Sequence, residues 1–197
     1  MRFGEHIVVS GITGSGKTTF VKKIIPKRNV IVFDLKGMGE WDNFFEHSTI
    51  LYSKDFLFGR KINGNKDNVY IIKFYALCED IIKDFEAIIT FLYENIRSRY
   101  VIVIDDAFPV ATSKILEKMF SISRSKFTLI IVSQYLKSFA TMIKANACHL
   151  YFFTQNVWAT EKLDFLTKRD RNIISGLRQY SFYCVNGYTG ERKIYIV

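Results

Sequence analysis

Proline is nearly absent. Two prolines in 197 residues leave no proline-rich linker, and no low-complexity stretch or internal repeat divides the chain. Cysteine is scarce too. Cys78, Cys148 and Cys184 are odd in number and far apart, so they spell neither a disulfide framework nor a zinc pattern and point to a reducing compartment. Histidine is as rare: His6, His47 and His149 have no matched metal partners and read as structural. No apolar run approaches the roughly 20 residues that a membrane-crossing helix needs. Met1 to Ser10 runs straight into a strand pattern, which argues against a secretion signal. Acidic side chains are in deficit, 19 against 28 basic ones, for a net charge of +9. Such a surplus suits a polyanionic partner, nucleic acid before membrane; charge alone is equally met by a solvated lysine-rich surface.

What remains is a chain of ordinary globular composition, 49% hydrophobic and 24% charged, rich in Phe (18) and Tyr (11). Its length suits one α/β domain over residues 1–197 with a sizeable core. Gly11-Ile12-Thr13-Gly14-Ser15-Gly16-Lys17-Thr18 fits the phosphate-loop pattern G-x-x-x-x-G-K-[ST] at every fixed position. His6 to Ser10 reads as a buried strand before it, and Lys17 to Ile25 as a helix after it, ended by Pro26. Gly11, Gly14 and Gly16 let the backbone turn several N–H groups into one concavity, and Thr13, Ser15 and Thr19 complete its rim. The helix aims its positive end there. Lys17 supplies a cation for β- and γ-phosphates, and Thr18 a hydroxyl for Mg²⁺, so the expected ligand is Mg·ATP.

Two further strands end in polar side chains. Asn29 to Asp34 leads into Asp34-Leu35-Lys36-Gly37, which places Asp34 and Lys36 where open parallel sheets bind ligands. Tyr100 to Asp106 (Y-V-I-V-I-D-D) is wholly apolar before its two carboxylates, as a central parallel strand buried on both faces would be. This is the Walker B arrangement: Asp105 for the Mg²⁺ shell, Asp106 to polarise the attacking water. Phe127 to Ser133 is another buried strand, ending in Gln134, an amide able to hydrogen-bond a γ-phosphate or a lytic water.

The remainder supplies scaffold. Val69 to Tyr75 and His149 to Thr154 read as strands, Thr49 to Ser53 as a short one. Cys78 to Ser98 reads as an amphipathic helix, Ser113 to Arg124, Lys137 to Asn146 and Trp158 to Arg169 as others. Tyr180 to Asn186 and Glu191 to Val197 flank Asn186-Gly187-Tyr188-Thr189-Gly190 as a C-terminal β-hairpin. Asp55 to Asn68 carries Arg60, Lys61 and Lys66 beside Phe56 and Phe58. It reads as a nucleic-acid-contacting loop or an exposed hairpin tip. Lys168, Arg169 and Arg171 read as a solvated face.

Four stretches together resemble the FtsK–HerA superfamily of DNA-pumping ATPases: Gly11 to Thr19, Val32 to Gly37 (V-F-D-L-K-G), Val101 to Ala107, and Ser123 to Gln134. The likeness covers about the first three-quarters of the chain, and only the second and fourth stretches are particular to that branch. It implies a RecA/FtsK-like three-layer sandwich and a Gln134 that senses γ-phosphate. It also implies an arginine, here Arg124, that reaches a neighbouring subunit's nucleotide, with Arg97 and Arg99 in reserve. The family usually places Glu where this chain has Asp106. Short members resemble genome-packaging ATPases of double-jelly-roll viruses, including archaeal ones. The resemblance thus implies double-stranded DNA translocation into a preformed capsid by a homo-oligomeric ring, a hexamer or pentamer, with capsid vertex proteins as partners. It places the protein in the host cytoplasm or with the virion. Alternatives are a Zot-like phage-assembly ATPase, a nucleoside or nucleotide kinase (for which no arginine-rich lid is visible), and a slowly hydrolysing nucleotide-gated assembly protein.

Overall fold

The computed structural model describes residues 2–54, 68–74, 80–139, 141–156, 159–160 and 163–196. The basic loop with Phe56, Phe58, Arg60, Lys61 and Lys66 lies outside them, as does Cys78. Short apolar, β-branched runs form the strands: β1 (Ile7–Ser10), β2 (Val30–Asp34), β3 (Thr49–Tyr52), β4 (Val69–Lys73), β5 (Tyr100–Asp105), β6 (Phe127–Ser133), β7 (His149–Phe152), β8 (Ser181–Asn186) and β9 (Arg192–Ile196). They join into one sheet in the order β3-β4-β2-β5-β6-β1-β7-β8-β9. Pairing is parallel from β3 through to β7, and antiparallel for β7 with β8 and β8 with β9. The expected C-terminal hairpin is therefore present, at one edge of a mostly parallel sheet.

Helices cover both faces, because alternate strand residues point to opposite sides. On one face Val9, Val30, Val32, Val103 and Val132 pack with Phe20 and Val21 of α1 (Lys17–Ile24) and with Trp41 and Phe45. On the other, Phe33, Ile72, Ile102, Ile104 and Ile131 pack with α2 (Ile81–Asn95) and α3 (Lys114–Ile122) through Phe85, Ile88, Ile89, Leu92, Leu116 and Phe120. Burying each such side chain contributes about 1.5–3 kcal/mol, so the central strands are the least movable part of the molecule.

Two segments depart from the periodicity-based expectation. Lys137 to Asn146 does not form one helix: a 3₁₀ turn at Leu136–Ser138 is followed by extended, buried Phe139, and α4 runs only over Thr141–Asn146. Phe139 entering the core breaks the spiral. The helix expected from Trp158 to Arg169 is likewise interrupted, since residues 163–167 form a turn and α5 begins at Lys168 and ends at Ser175. Thr167 and Asp170 make a reciprocal capping box that sets this start. The Thr167-x-x-Asp170 spacing was its sequence signal.

Strand order decides where polar ends meet. The chain leaves β1 for β2, yet β5 and β6 insert between them. Register aligns Asp34 with Asp105 and Ser10 with Ser133. The C-terminal ends of β1, β2, β5 and β6 therefore open along one edge, the place where open α/β sheets bind ligands.

Candidate active site

Thr13, Gly14, Lys17, Thr18, Asp34, Lys36, Asp105, Asp106 and Gln134 line one cleft at that edge. The loop after β1 is closed by its own backbone. Gly11 N–H donates to Ser133 O at 3.3 Å and Ile12 N–H to Thr154 O at 3.0 Å, tying the loop to β6 and to the end of β7. Ser15 Oγ donates to Ile12 O at 2.8 Å, and Lys17 Nζ to the same carbonyl at 2.7 Å. Gly16 has φ of 101°, and a Cβ there would come within 2.8 Å of the Tyr180 ring, so glycine is needed twice over. From this residue α1 starts with no side-chain cap, which leaves its first N–H groups to face the cleft.

Opposite the loop stand the two carboxylates. Asp105 Oδ2 accepts from Thr18 Oγ1 at 3.3 Å and from Trp41 Nε1 at 2.8 Å, while Asp105 Oδ1 accepts from the Asp106 N–H at 3.0 Å. Enclosure in the cleft pushes the Asp105 carboxyl upward, and the Trp41 N–H is the main opposing influence. Lys17 is drawn downward by burial, against the attraction of Asp105 and Asp106. Asp106 takes a left-handed backbone conformation, φ 54°, unusual for a residue with a side chain. Its Oδ2 pairs with Lys36 Nζ at 2.7 Å. Lys36 thus supplies a cation beside this carboxylate.

Asp34 turns out to be a builder of the turn. It is buried, and its oxygens accept from Gly37 N–H at 2.9 Å and Gly39 N–H at 3.3 Å. Trp41 was missed by sequence reading. It is fully buried, and Lys22 of α1 holds the turn that delivers it: its Nζ donates to Glu40 O and lies 5.0 Å from the Trp41 ring centre. Only a tryptophan four residues beyond Gly37 of the D-x-K-G turn could have hinted at this. Tyr180 was read as strand. It instead sits before β8 with φ 63°, 49% exposed, its ring against Gly16. Gly16, Thr19, Phe20, Lys23, Phe153 and Tyr180 line a separate hollow just past the loop.

Arg124 lies away from this cleft, before β6 at the opposite sheet edge. It donates to Asn146 O at 3.2 Å and rests 5.9 Å from the Tyr188 ring centre. The structure thus brings together Lys17, Thr18, Asp105, Asp106 and Gln134, and sets Arg124 apart.

The donor set suits Mg²⁺. This ion takes oxygen ligands, keeps several waters and needs only one or two protein oxygens beside phosphates. The Thr18 hydroxyl and Asp105 carboxylate converge as such a pair would. Among the described residues no group of three or more His, Cys, Asp and Glu side chains could hold a metal by itself.

No protein-family profile matches the chain, and no curated protein matches its sequence. Solved structures do. The genome-packaging NTPase B204 of Sulfolobus turreted icosahedral virus 2, in complex with ATP-gammaS, superposes with a TM-score of 0.71 at 18% identity, covering 100% of both chains. VirB4 of Thermoanaerobacter pseudethanolicus gives 0.72 at 11% identity, covering 98% of this chain and 89% of that one. The likeness shows the fold, an α/β phosphate-loop sandwich with a C-terminal antiparallel hairpin. The N-terminal domain of zonular occludens toxin from Neisseria meningitidis shares the fold more loosely, with a TM-score of 0.54 at 12% identity over 100% of this chain and 95% of that one. Among the described residues no helix is long and apolar enough to cross a membrane.

Proposed function

We propose that residues 1–197 form one domain of the FtsK–HerA superfamily that hydrolyses ATP with Mg²⁺ to drive double-stranded DNA, most specifically a viral genome, into a preformed capsid. The convergence of Lys17, Thr18, Asp105, Asp106 and Gln134 in one cleft carries the ATPase reading. The full-length likeness to a genome-packaging NTPase supports packaging over other uses of the fold. The net charge of +9 supports a polyanionic partner.

In this reading the loop N–H groups and Lys17 hold the β- and γ-phosphates. Thr18 and Asp105 would hold Mg²⁺, which would supply charge neutralisation at the transferred phosphoryl group. Lys17 leaves Ile12 O for the phosphate, a change of side-chain torsions only. Asp106, on its fixed left-handed backbone, orients a water and takes its proton. Gln134 donates to a terminal phosphate oxygen or to that water. The base lies in the hollow beside Gly16, against the Tyr180 ring. Double-stranded DNA is encircled by a homo-oligomeric ring, because one small domain cannot surround a duplex. Arg124 serves the adjacent subunit's nucleotide on leaving Asn146 O, consistent with its position at the edge remote from its own loop.

The deciding experiment is phosphate release from ATP with and without duplex DNA, alongside the oligomer's mass in solution. DNA-stimulated hydrolysis by a ring-sized assembly is expected, and Lys17→Ala should abolish it. Near-normal turnover in Lys17→Ala would remove the site assignment. Phosphoryl transfer to nucleoside monophosphates would make the protein a kinase instead.

A further inference from the structure

The turn after β2 brings a second lysine into the cleft. Strand order runs β2-β5-β6-β1, so Lys36 enters from the β2 side and Lys17 from the β1 side, with the ends of β5 and β6 between them. Lys36 stands on a fixed base. Leu35 is buried, and Gly37 has φ of 65° with its N–H on Asp34 Oδ1 and Asp34 O. A Cβ on Gly37 would fall 2.7 Å from Phe74 O. Asp106 is equally fixed, in the left-handed region with its N–H on Asp105 Oδ1. The side chains differ from this: that of Lys36 is 42% exposed, and its ammonium reaches Asp106 Oδ2 at 2.7 Å. A mobile charge thus sits on an immobile pivot, paired with the carboxylate assigned to water.

A carboxylate has two oxygens for this work, and an ammonium on one of them competes with a water for the other's orientation. A γ-phosphate carries more charge than a carboxylate and spreads it over terminal oxygens that charge-assisted donors bind strongly. A diphosphate lacks those oxygens. We propose that Lys36 exchanges Asp106 for the γ-phosphate when a nucleoside triphosphate occupies the loop, and that this exchange frees Asp106 to act on water. The proposal rests on reading the cleft as the Mg·ATP site. Lys36 is then a specificity-determining residue for triphosphate over diphosphate, and Asp106 becomes available only when there is a γ-phosphate to hydrolyse.

The test uses binding, not turnover. Affinities for Mg·ATPγS and Mg·ADP are measured by calorimetry on the full chain for wild type, Lys36→Met, Lys36→Arg, Asp106→Asn and the double variant Lys36→Met/Asp106→Asn. Lys36→Met should weaken ATPγS about tenfold, as expected for losing a donor to a charged group, and leave ADP within about twofold. Lys36→Arg should keep most of the discrimination. Asp106→Asn should tighten ATPγS, since no ion pair need then be broken, and the gain should be larger with Lys36 present than in the double variant. Equal weakening of both nucleotides by Lys36→Met would overturn the proposal. So would an Asp106→Asn gain as large or larger without Lys36, because that sign denotes screening of one anion from another. Nucleotide binding that Lys17→Ala abolishes but Lys36 does not discriminate overturns the exchange alone. A wild type that binds neither nucleotide overturns the ATP-site reading and the exchange together.

Discussion

Trp41→Phe isolates one hydrogen bond on which the metal site depends. The indole is fully buried, and its Nε1–H is 2.8 Å from Asp105 Oδ2, the same oxygen that Thr18 Oγ1 approaches at 3.3 Å. A phenyl ring keeps apolar contact near Phe44 and Phe45, whose ring centres lie 5.7 and 6.5 Å from that of Trp41. What disappears is a donor to an enclosed carboxylate, an interaction of about 1.5–3 kcal/mol. If that energy appears in metal binding, Mg²⁺ affinity falls roughly 10–100-fold. The pH dependence has a definite sign. Burial already holds the Asp105 carboxyl above its ordinary range and the Trp41 N–H opposes this. Its loss raises the carboxyl further, so the acid limb of Mg²⁺-dependent binding moves to higher pH. The assay is a Mg²⁺ titration of fluorescent ATP-analogue binding from about pH 8 down to about pH 4, the ordinary carboxylate range, with circular dichroism confirming the fold. Half-saturating Mg²⁺ unchanged in folded Trp41→Phe, with no movement of the acid limb, would refute this account of Trp41.

Other outcomes separate the remaining roles. Asp106→Asn should bind Mg·ATP yet hydrolyse it far more slowly, whereas Asp105→Ala should lose Mg²⁺-dependent binding; normal turnover in Asp106→Asn would mean another base. Gln134→Ala should slow single-turnover hydrolysis with affinity largely kept. His6, buried and accepting from Leu129 N–H at 3.1 Å, is held down to about 4 from 6.5 by burial and then by Arg124. Its folded value lies below its unfolded one, so its stabilising effect is whole above about pH 6.5 and is lost as pH falls towards 4. The loss is about 3 kcal/mol, to be read from urea unfolding, and His6→Asn should flatten that slope. For Arg124, mixing inactive Arg124→Ala with inactive Lys17→Ala subunits should restore partial ATPase activity; full activity of Arg124→Ala alone would end its role.

The loop and the strand ending in Asp105-Asp106 were legible because each is local: spacing fixes the turn, and an unbroken apolar run fixes a strand buried on both faces. Gln134 was legible for the same reason. The place of Lys36 at a strand end was legible too, but its pairing with Asp106 and the role of Trp41 were not, because Asp106 and Asp105 are brought alongside only by the insertion of β5 beside β2. Periodicity failed where one residue overrode it, as Phe139 does by turning inward and Thr167 by capping a new helix. Tyr180 was read into a strand because its alternation continues that of β8; its left-handed conformation follows from packing on Gly16 and has no sequence signature.

The order of the strands also has a consequence in time. β1 precedes the phosphate loop, yet Ile7 pairs with Ile130 on one side and His149 on the other. As the chain emerges from a ribosome, β1 must wait, with both edges bare, until β6 and β7 have been made. Pairing over such separations is slow to form and exposes strand edges meanwhile. The nucleotide site is thus among the last parts of the molecule to exist. A nascent chain stopped after β5 would contain every residue of the phosphate loop and both carboxylates, and have no cleft in which to use them.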